Sequence, residues 1–262
     1  MLMQRFITAI VSLLVLAVVI FLLPPFLARV MIGLLIVAGA WEWGGLLSAG
    51  GLANRLLYPA FIAALLVWVL FSLSDPAQLE NLFRVALGWW FLALLWMLFF
   101  PTRIPLMVGW LSGALVLVPC GAALDHLYLQ SPRLLVFVLL IVWVADMGAY
   151  FVGKGFGRVK LAPKISPGKT WEGVLGGLTA VTVLAALASP LTGAKIGVLV
   201  PFCLAVAMIS IVGDLTVSMF KRNAGVKDSG KLFPGHGGVL DRIDSVTAAA
   251  PLFALAVHWI GL

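Results

Sequence analysis

Nine apolar stretches follow one another along the 262-residue chain, at about 6–23, 26–49, 57–73, 85–100, 104–124, 134–153, 173–193, 196–213 and 245–262, with Pro, Gly or charged residues in the gaps. A hydrocarbon layer about 30 Å thick is crossed by about 20 apolar residues in a helix, with roughly 17 to 25 tolerated. The expected fold is therefore all-α, a polytopic integral membrane protein of about nine transmembrane helices. The fourth stretch, 85–100, is the shortest. Composition agrees: 63% of residues are hydrophobic and 10% charged, whereas a soluble domain carries about 25% charged residues to cover its surface. Residues 1–23 begin like a secretory signal, with Arg5 ahead of an apolar run. That run is long, no small-x-small cleavage site follows it and further spans come after, so it is expected to stay as the first helix. No repeat of 20–50 residues and no low-complexity tract divides the chain, which reads as one transmembrane domain over 1–262. Cys120 and Cys203, the two cysteines, both fall inside apolar stretches, which excludes a disulfide scaffold and a cysteine-ligated metal.

The net charge of +7 reports orientation first, because cytoplasmic loops of membrane proteins collect Lys and Arg. Nucleic acid is not an expected partner. With nine spans, the N-terminus and the loops after spans two, four, six and eight share a side that holds 13 of the 17 basic residues, while Arg29, Arg84, Arg133 and Lys195 lie on the other. The expected topology has the N-terminus inside and the C-terminus outside. One span more or fewer before residue 134 would still leave the two most basic loops together on the cytoplasmic side.

Windows 146–172 and 214–244 hold 16 of the 27 charges in 58 residues. Orientation alone requires Lys and Arg but not Asp. Asp146 and Asp214 stand at the ends of apolar spans, where an unpaired carboxylate costs a few kcal/mol or more, so each calls for a partner, expected to be a cation. Asp241 and Asp244 are three residues apart in GHGGVLDRIDS. On a helix that spacing puts both on one face, with β-carbons about 5–6 Å apart. Oxygen-only ligands favour a hard ion such as Mg²⁺, which takes one or two carboxylates together with water and substrate phosphate. Zinc is disfavoured by the lack of clustered His and Cys. His236, between two glycines, is expected in a loop or against substrate rather than on a metal.

Pro234, Gly235, Gly237 and Gly238 precede the last span and allow close backbone approach to an anion at a helix N-terminus. With Lys221, Arg222, Lys227 and Lys231 nearby, that anion is expected to be a phosphate or polyphosphate. In KISPGKTWEG, the run Gly168-Lys169-Thr170 looks like the end of a P-loop, but the glycine required five positions earlier is Pro163 and no strand is expected before it. What remains is a turn whose Ser166, Lys169 and Thr170 can donate to phosphate, with Glu172 at the start of span seven. The glycine-rich run 153–157 follows a membrane helix and does not support a dinucleotide fold. Glu42, in AWEWGG, is expected to anchor the cytoplasmic end of span two between interfacial tryptophans; His126 and His258 are expected at the outer interface, and the ten tryptophans in interfacial belts.

The run Ser218-Met219-Phe220-Lys221-Arg222, then Lys227-Asp228-Ser229-Gly230, then Phe233 through Asp244 resembles the signature of the CDP-diacylglycerol synthases, or phosphatidate cytidylyltransferases. Residues 145–173 and 212–222 resemble the same family, and weaker similarity, including AWEWG at 40–44, covers most of the chain. One departure is Met147, where relatives commonly have a small hydroxyl residue. The resemblance implies a polytopic inner-membrane enzyme with its site facing the cytoplasm, which joins CTP and phosphatidic acid into CDP-diacylglycerol and releases pyrophosphate. It also implies Mg²⁺, a monovalent ion such as K⁺ as a second cation, and a homodimer. Asp214 and Asp241 would be metal ligands, with Asp244 and Asp228 close by; Ser166, Lys169, Lys221, Arg222 and Lys227 would face phosphate.

Residues and resemblance together select Asp214, Asp241, Asp244, Lys227 and Asp228 as catalytic candidates. Ser166, Lys169, Thr170, Lys221, Arg222, His236, Gly237, Gly238 and Arg242 are substrate or phosphate candidates; Asp214, Asp241 and Asp244 are the metal candidates, with Asp146 and Glu172 as additional ones. The N-terminal spans occupy about 1–133 and the catalytic half about 134–262, with cytoplasmic loops at 154–172 and 214–244. Three rivals use similar residues: a cation transporter, a CDP-alcohol phosphotransferase, whose Asp-Gly and Ala-Arg pattern is not found, and a CTP-dependent lipid-alcohol kinase.

Overall fold

A computed structural model describes residues 2–47, 51–73, 75–230, 232 and 237–261. Its helices are α1 (Leu2–Phe21), α2 (Pro25–Leu46), α3 (Gly51–Ser72), α4 (Pro76–Leu98), α5 (Leu106–Gln130), α6 (Pro132–Phe156), α7 (Trp171–Thr192), α8 (Ile196–Asn223) and α9 (Leu240–Ala256), the last running into a 3₁₀ turn, Val257–Ile260. Among the described residues eight helices are long and apolar enough to cross a membrane, and α1 adds the shorter apolar segment Ile10–Phe21. This is the all-α multi-pass fold expected from the apolar stretches. Helices suit that solvent because they satisfy their backbone N–H and C=O groups within the segment.

Local chemistry marks the helix ends. Pro25, Pro76 and Pro132 open α2, α4 and α6, where a missing N–H costs nothing. Asp75 accepts from Ala77 N–H, Ser131 from Arg133 N–H and Thr170 from Gly173 N–H, capping α4, α6 and α7. Gly193, at φ +76°, ends α7 in the left-handed region, donating to Ser189 O.

Two windows read as loops turn out otherwise. Helix α8 continues ten residues beyond 213, and α9 already begins at Leu240, so Asp214, Lys221, Arg222, Asp241, Arg242 and Asp244 all stand on helices. Charged residues stop an apolar run but not a helix, and Lys221 and Arg222 in the last turn of α8 complement its dipole. In the other window, α6 runs to Phe156, and a hairpin follows: β1 (Lys160–Ala162) pairs antiparallel with β2 (Ser166–Thr170) in the register Lys160↔Thr170 and Ala162↔Ser166, with an irregularity between them. The turn has Pro163 at its second position and is closed by Ile165 N–H on Ala162 O at 3.1 Å. A strand thus does precede Gly168-Lys169-Thr170, contrary to expectation, but those residues are themselves in β2.

Helix α9 is the centre of the bundle. In its apolar window 67% of residues are buried, against 22% in α7, and Thr247, Ala248, Ala249 and Ala250 have no exposed surface. Its first turns carry Asp241 and Asp244, so these carboxylates stand on the most buried of the eight apolar helices. Large apolar residues such as Phe71, Leu98, Met107 and Leu191 instead cover the outside, as lipid requires. The tryptophans are not all interfacial: Trp43 and Trp90 are fully buried, and Trp43 donates to Gly109 O at 3.0 Å and lies 4.7 Å from the Phe220 ring. That contact seats the end of α2 beneath the end of α8. Towards the opposite end of α2, Arg29 grips Asp125 of α5 with two hydrogen bonds of 2.7 and 2.9 Å. Cys120 and Cys203 are buried and unbridged.

Candidate active site

Helices α6 and α7 approach until their backbones touch, which only glycine permits. A β-carbon on Gly148 would lie 2.9 Å from Gly176 O, and one on Gly177 would lie 2.6 Å from Ala145 O. Small residues therefore bring transmembrane helices together here by close packing rather than by water exclusion. Above this seam, towards α8 and the hairpin, lies a cavity of about 550 Å³ lined by Asp146, Tyr150, Lys154, Ser166, Lys169, Thr170 and Asp214 among small and apolar residues.

Asp146, Tyr150 and Lys154 form one column on α6 at i, i+4 spacing, with the Lys154 ammonium 5.7 Å from the Tyr150 ring centroid. Asp146 is ten residues from the end of α6, or about 15 Å at 1.5 Å per residue. The cavity thus extends along α6 well short of its end, with Asp146 exposed there and Asp214 partly exposed. Opposite, β2 brings Lys169 to Asp214 with an Nζ–Oδ2 distance of 2.6 Å, while Ser218, one helical turn on, donates to Asp214 Oδ1 at 3.1 Å. Asp214 is within electrostatic reach of both Asp146 and Asp244.

A second cluster adjoins the first. Lys221 is 8% exposed and lies 2.8 Å from Asp241 Oδ1 and 3.7 Å from Asp244 Oδ2. The i, i+3 pair expected from the sequence therefore exists, and a buried lysine serves both carboxylates. Asp241 Oδ2 also accepts from Ser229 N–H at 3.0 Å and Gly238 N–H at 2.9 Å. Gly237 turns the chain into α9 at φ +83°, where a β-carbon would also meet the Asp241 carboxylate. Asp244 Oδ1 accepts from Ser245 N–H, and the Ser245 hydroxyl reaches Asp146 at 3.5 Å. Arg242 is exposed and within electrostatic reach of Asp146.

The structure thus brings together Asp146, Ser166, Lys169, Thr170 and Asp214 at the cavity, and Lys221, Gly237, Gly238, Asp241 and Asp244 beside it. Thr170, Arg222 and Glu172 are engaged elsewhere. Thr170 is buried, its hydroxyl already capping α7. Arg222 gives its guanidinium to Ile165 O at 3.0 Å and Val226 O at 3.2 Å, tying the hairpin to α8. Glu172 accepts from Val159 N–H and steadies the start of β1. Lys227 and Asp228 are exposed on the α8–α9 connection, and His236 lies outside the described residues.

Several participants were not singled out from the sequence. Ser218 was findable, since i+4 from Asp214 is the same helix face once α8 is continued past 213. Tyr150 and Lys154 follow from Asp146 by the same count. Glu42 was expected only as an anchor. It is 8% exposed and accepts from Ser229 Oγ at 2.7 Å, Val239 N–H at 2.9 Å and Leu240 N–H at 2.8 Å, almost 200 residues away in the chain. No local pattern pairs them.

Opposite charges in alternation, Asp146 and Asp214 with Lys169, then Asp241 and Asp244 with Lys221, are suited to polyanions that arrive with a cation. Among the described residues no three His, Cys, Asp or Glu side chains converge as a ready-made metal cage. The donor set is carboxylate oxygen, which fits Mg²⁺ held jointly by protein and phosphate better than a resident soft metal.

A model of the cytidylyltransferase family matches residues 3–260. The phosphatidate cytidylyltransferase of Pseudomonas aeruginosa is 44% identical over 277 aligned residues, covering 99% of this chain and 97% of that protein. Its namesake from Haemophilus influenzae is 39% identical over 283, covering 97% and 98%. Over a shorter stretch of 119 residues, 42% of this chain and 38% of the relative, the Synechocystis protein of that name is 52% identical.

Proposed function

The chain belongs to the cytidylyltransferase family, and from that premise we propose how its site works. The protein is a multi-pass membrane phosphatidate cytidylyltransferase: it transfers a cytidylyl group from CTP to phosphatidic acid, giving CDP-diacylglycerol and pyrophosphate. An oxygen of the lipid phosphate attacks the α-phosphorus of CTP, a new P–O bond forms, and the bond to the bridging oxygen of the β-phosphate breaks. The electron pair leaves with pyrophosphate. A phosphomonoester has its second pKa near 6, so the nucleophile is already ionised near neutral pH and no strong general base is required.

The observation that carries the proposal is the Lys169–Asp214 pair, at 2.6 Å, inside a cavity that also holds Asp146 and Ser166. Two polyanions repel each other, and phosphoryl-type transfer is accelerated mainly by alignment and charge stabilisation. Lys169 and Ser166 would bind CTP phosphates in competition with Asp214. Asp214 and Asp241 would hold Mg²⁺, with Asp244 and Asp146 beside them and K⁺ as a second ion. Asp241 has both oxygens accepting hydrogen bonds, but a carboxylate offers about four lone-pair sites. Bound there, the ion would neutralise CTP phosphates and offset charge gathering on the leaving pyrophosphate. Lys221 would keep Asp241 and Asp244 oriented, Lys154 would attract phosphate at the mouth, and the lipid's acyl chains would stay in the bilayer while its headgroup enters.

The basic residues support a cytoplasmic orientation of this face, in an inner membrane, and the protein is proposed to act as a homodimer. Purified protein given α-labelled CTP, phosphatidic acid and Mg²⁺ should put label into the lipid phase. Label in CDP alone would mean kinase chemistry, and ion flux in liposomes without CTP would mean transport; either would overturn the proposal.

A further inference from the structure

We propose that Glu42 is a positioning residue for this reaction: it closes the neck of the α8–α9 connection and thereby sets the turn of α9 that carries Asp241 and Asp244. The proposal rests on the function given above and deepens it. The outgoing flank of the neck is Ser229, whose hydroxyl donates to Glu42 Oε2 at 2.7 Å and whose N–H donates to Asp241 Oδ2 at 3.0 Å. The returning flank is Gly238 to Leu240. There Gly238 N–H donates to Asp241 Oδ2 at 2.9 Å, Val239 N–H to Glu42 Oε1 at 2.9 Å and Leu240 N–H to Glu42 Oε2 at 2.8 Å. Each carboxylate therefore bonds to both flanks, one from α2 and one from α9.

Helix α9 has no side-chain cap on its own N-cap residue, Val239. The first N–H groups of a helix lack partners within it, and a carboxylate at that end also meets the favourable pole of the helix dipole. Glu42 supplies this cap from another helix. Its partners Ser229 Oγ, Val239 N–H and Leu240 N–H are neutral donors, two of them at the N-terminal pole of the helix. Gly230 and Gly238 pack directly on its carboxylate and leave no room for a β-carbon at either position. A general interfacial anchor would not need that fit. Asp241 links the neck to the chemistry, because Oδ2 takes the neck and Oδ1 takes Lys221. Displacing the neck would rotate Asp241 away from Lys221 and shift Asp244 one turn on.

The test compares full-length wild type with Glu42→Gln, Glu42→Asp and Ser229→Ala, purified in detergent and normalised to the folded fraction by size exclusion. Gln keeps the size but turns one acceptor into a donor that faces other donors. A displacement of about 1 Å at a reacting centre can cost about 100-fold, so Glu42→Gln is expected to lower kcat about 10- to 100-fold at little-changed KM for CTP. Glu42→Asp, which keeps the carboxylate, should fall between it and wild type. Amide exchange at Ser229 and Gly238–Leu240 should quicken about tenfold or more in Glu42→Gln while the helix interiors stay protected. Ser229→Ala loses one bond and should lower kcat about threefold to tenfold with the same local exchange; it carries the test should Glu42→Gln fail to fold. Unchanged exchange at the neck, or faster exchange with wild-type kcat, overturns the positioning role. A wild type that makes no CDP-diacylglycerol sinks the function itself, and shows in the wild-type arm alone.

Discussion

Replacing Lys221 by Met separates two effects that the site combines, packing and charge. The side chains have similar length, so the hole is filled, but Asp241 and Asp244 lose the ammonium that lies 2.8 and 3.7 Å from them. At an effective dielectric of about 20, those separations correspond to roughly 6 and 4.5 kcal/mol of gross attraction. Desolvating three groups that are 8%, 9% and 13% exposed offsets much of this, and breaking a buried pair by removing one partner costs about 3–5 kcal/mol net. At about 2–4 °C per kcal/mol for a chain of this size, the midpoint of thermal unfolding in detergent should fall by roughly 6–20 °C. Asp241→Asn in the Lys221→Met background should recover part of the loss, since the buried anion then goes as well. A midpoint within about 2 °C of wild type for Lys221→Met, below the shift of a single kcal/mol, would refute the reasoning.

Gly177→Val should break the α6–α7 seam, where even a β-carbon would lie 2.6 Å from Ala145 O. Overpacking of about 1–3 kcal/mol or more should lower the unfolding midpoint and deform the cavity, checked by thermal unfolding and CTP binding. Asp125→Asn, which strips the Arg29 pair at the other end of the bundle, should lower the midpoint but leave KM for CTP unchanged, since that pair is remote from the cavity.

The all-α architecture was legible because bilayer thickness imposes a length on apolar runs. The ends of those runs were not the ends of the helices, as α8 shows by continuing through Asp214 to Asn223. Hydropathy reports solvent, while helical hydrogen bonding continues into water. Asp146, Lys169, Asp214, Lys221, Asp241 and Asp244 were legible from the cost of isolated charge in an apolar setting, since each acid needs a cation and finds one nearby. The work of Thr170, Arg222 and Glu172 was not. Their residue types suit phosphate or metal, yet local backbone groups claim them, and that competition depends on the hairpin. Glu42 illustrates the opposite case: its residue type and flanking tryptophans suggest only an anchor, and its partners at Ser229, Val239 and Leu240 come from tertiary packing alone.

The central claim is that the Lys169–Asp214 cavity is where CTP and phosphatidic acid meet. The most direct measurement is transfer of label from CTP into lipid by Asp214→Asn, beside its unfolding midpoint and size-exclusion profile. With a metal-holding carboxylate neutralised, transfer should fall by about 100-fold or more while the protein remains folded. A folded Asp214→Asn protein that labels lipid at close to the wild-type rate would contradict the account.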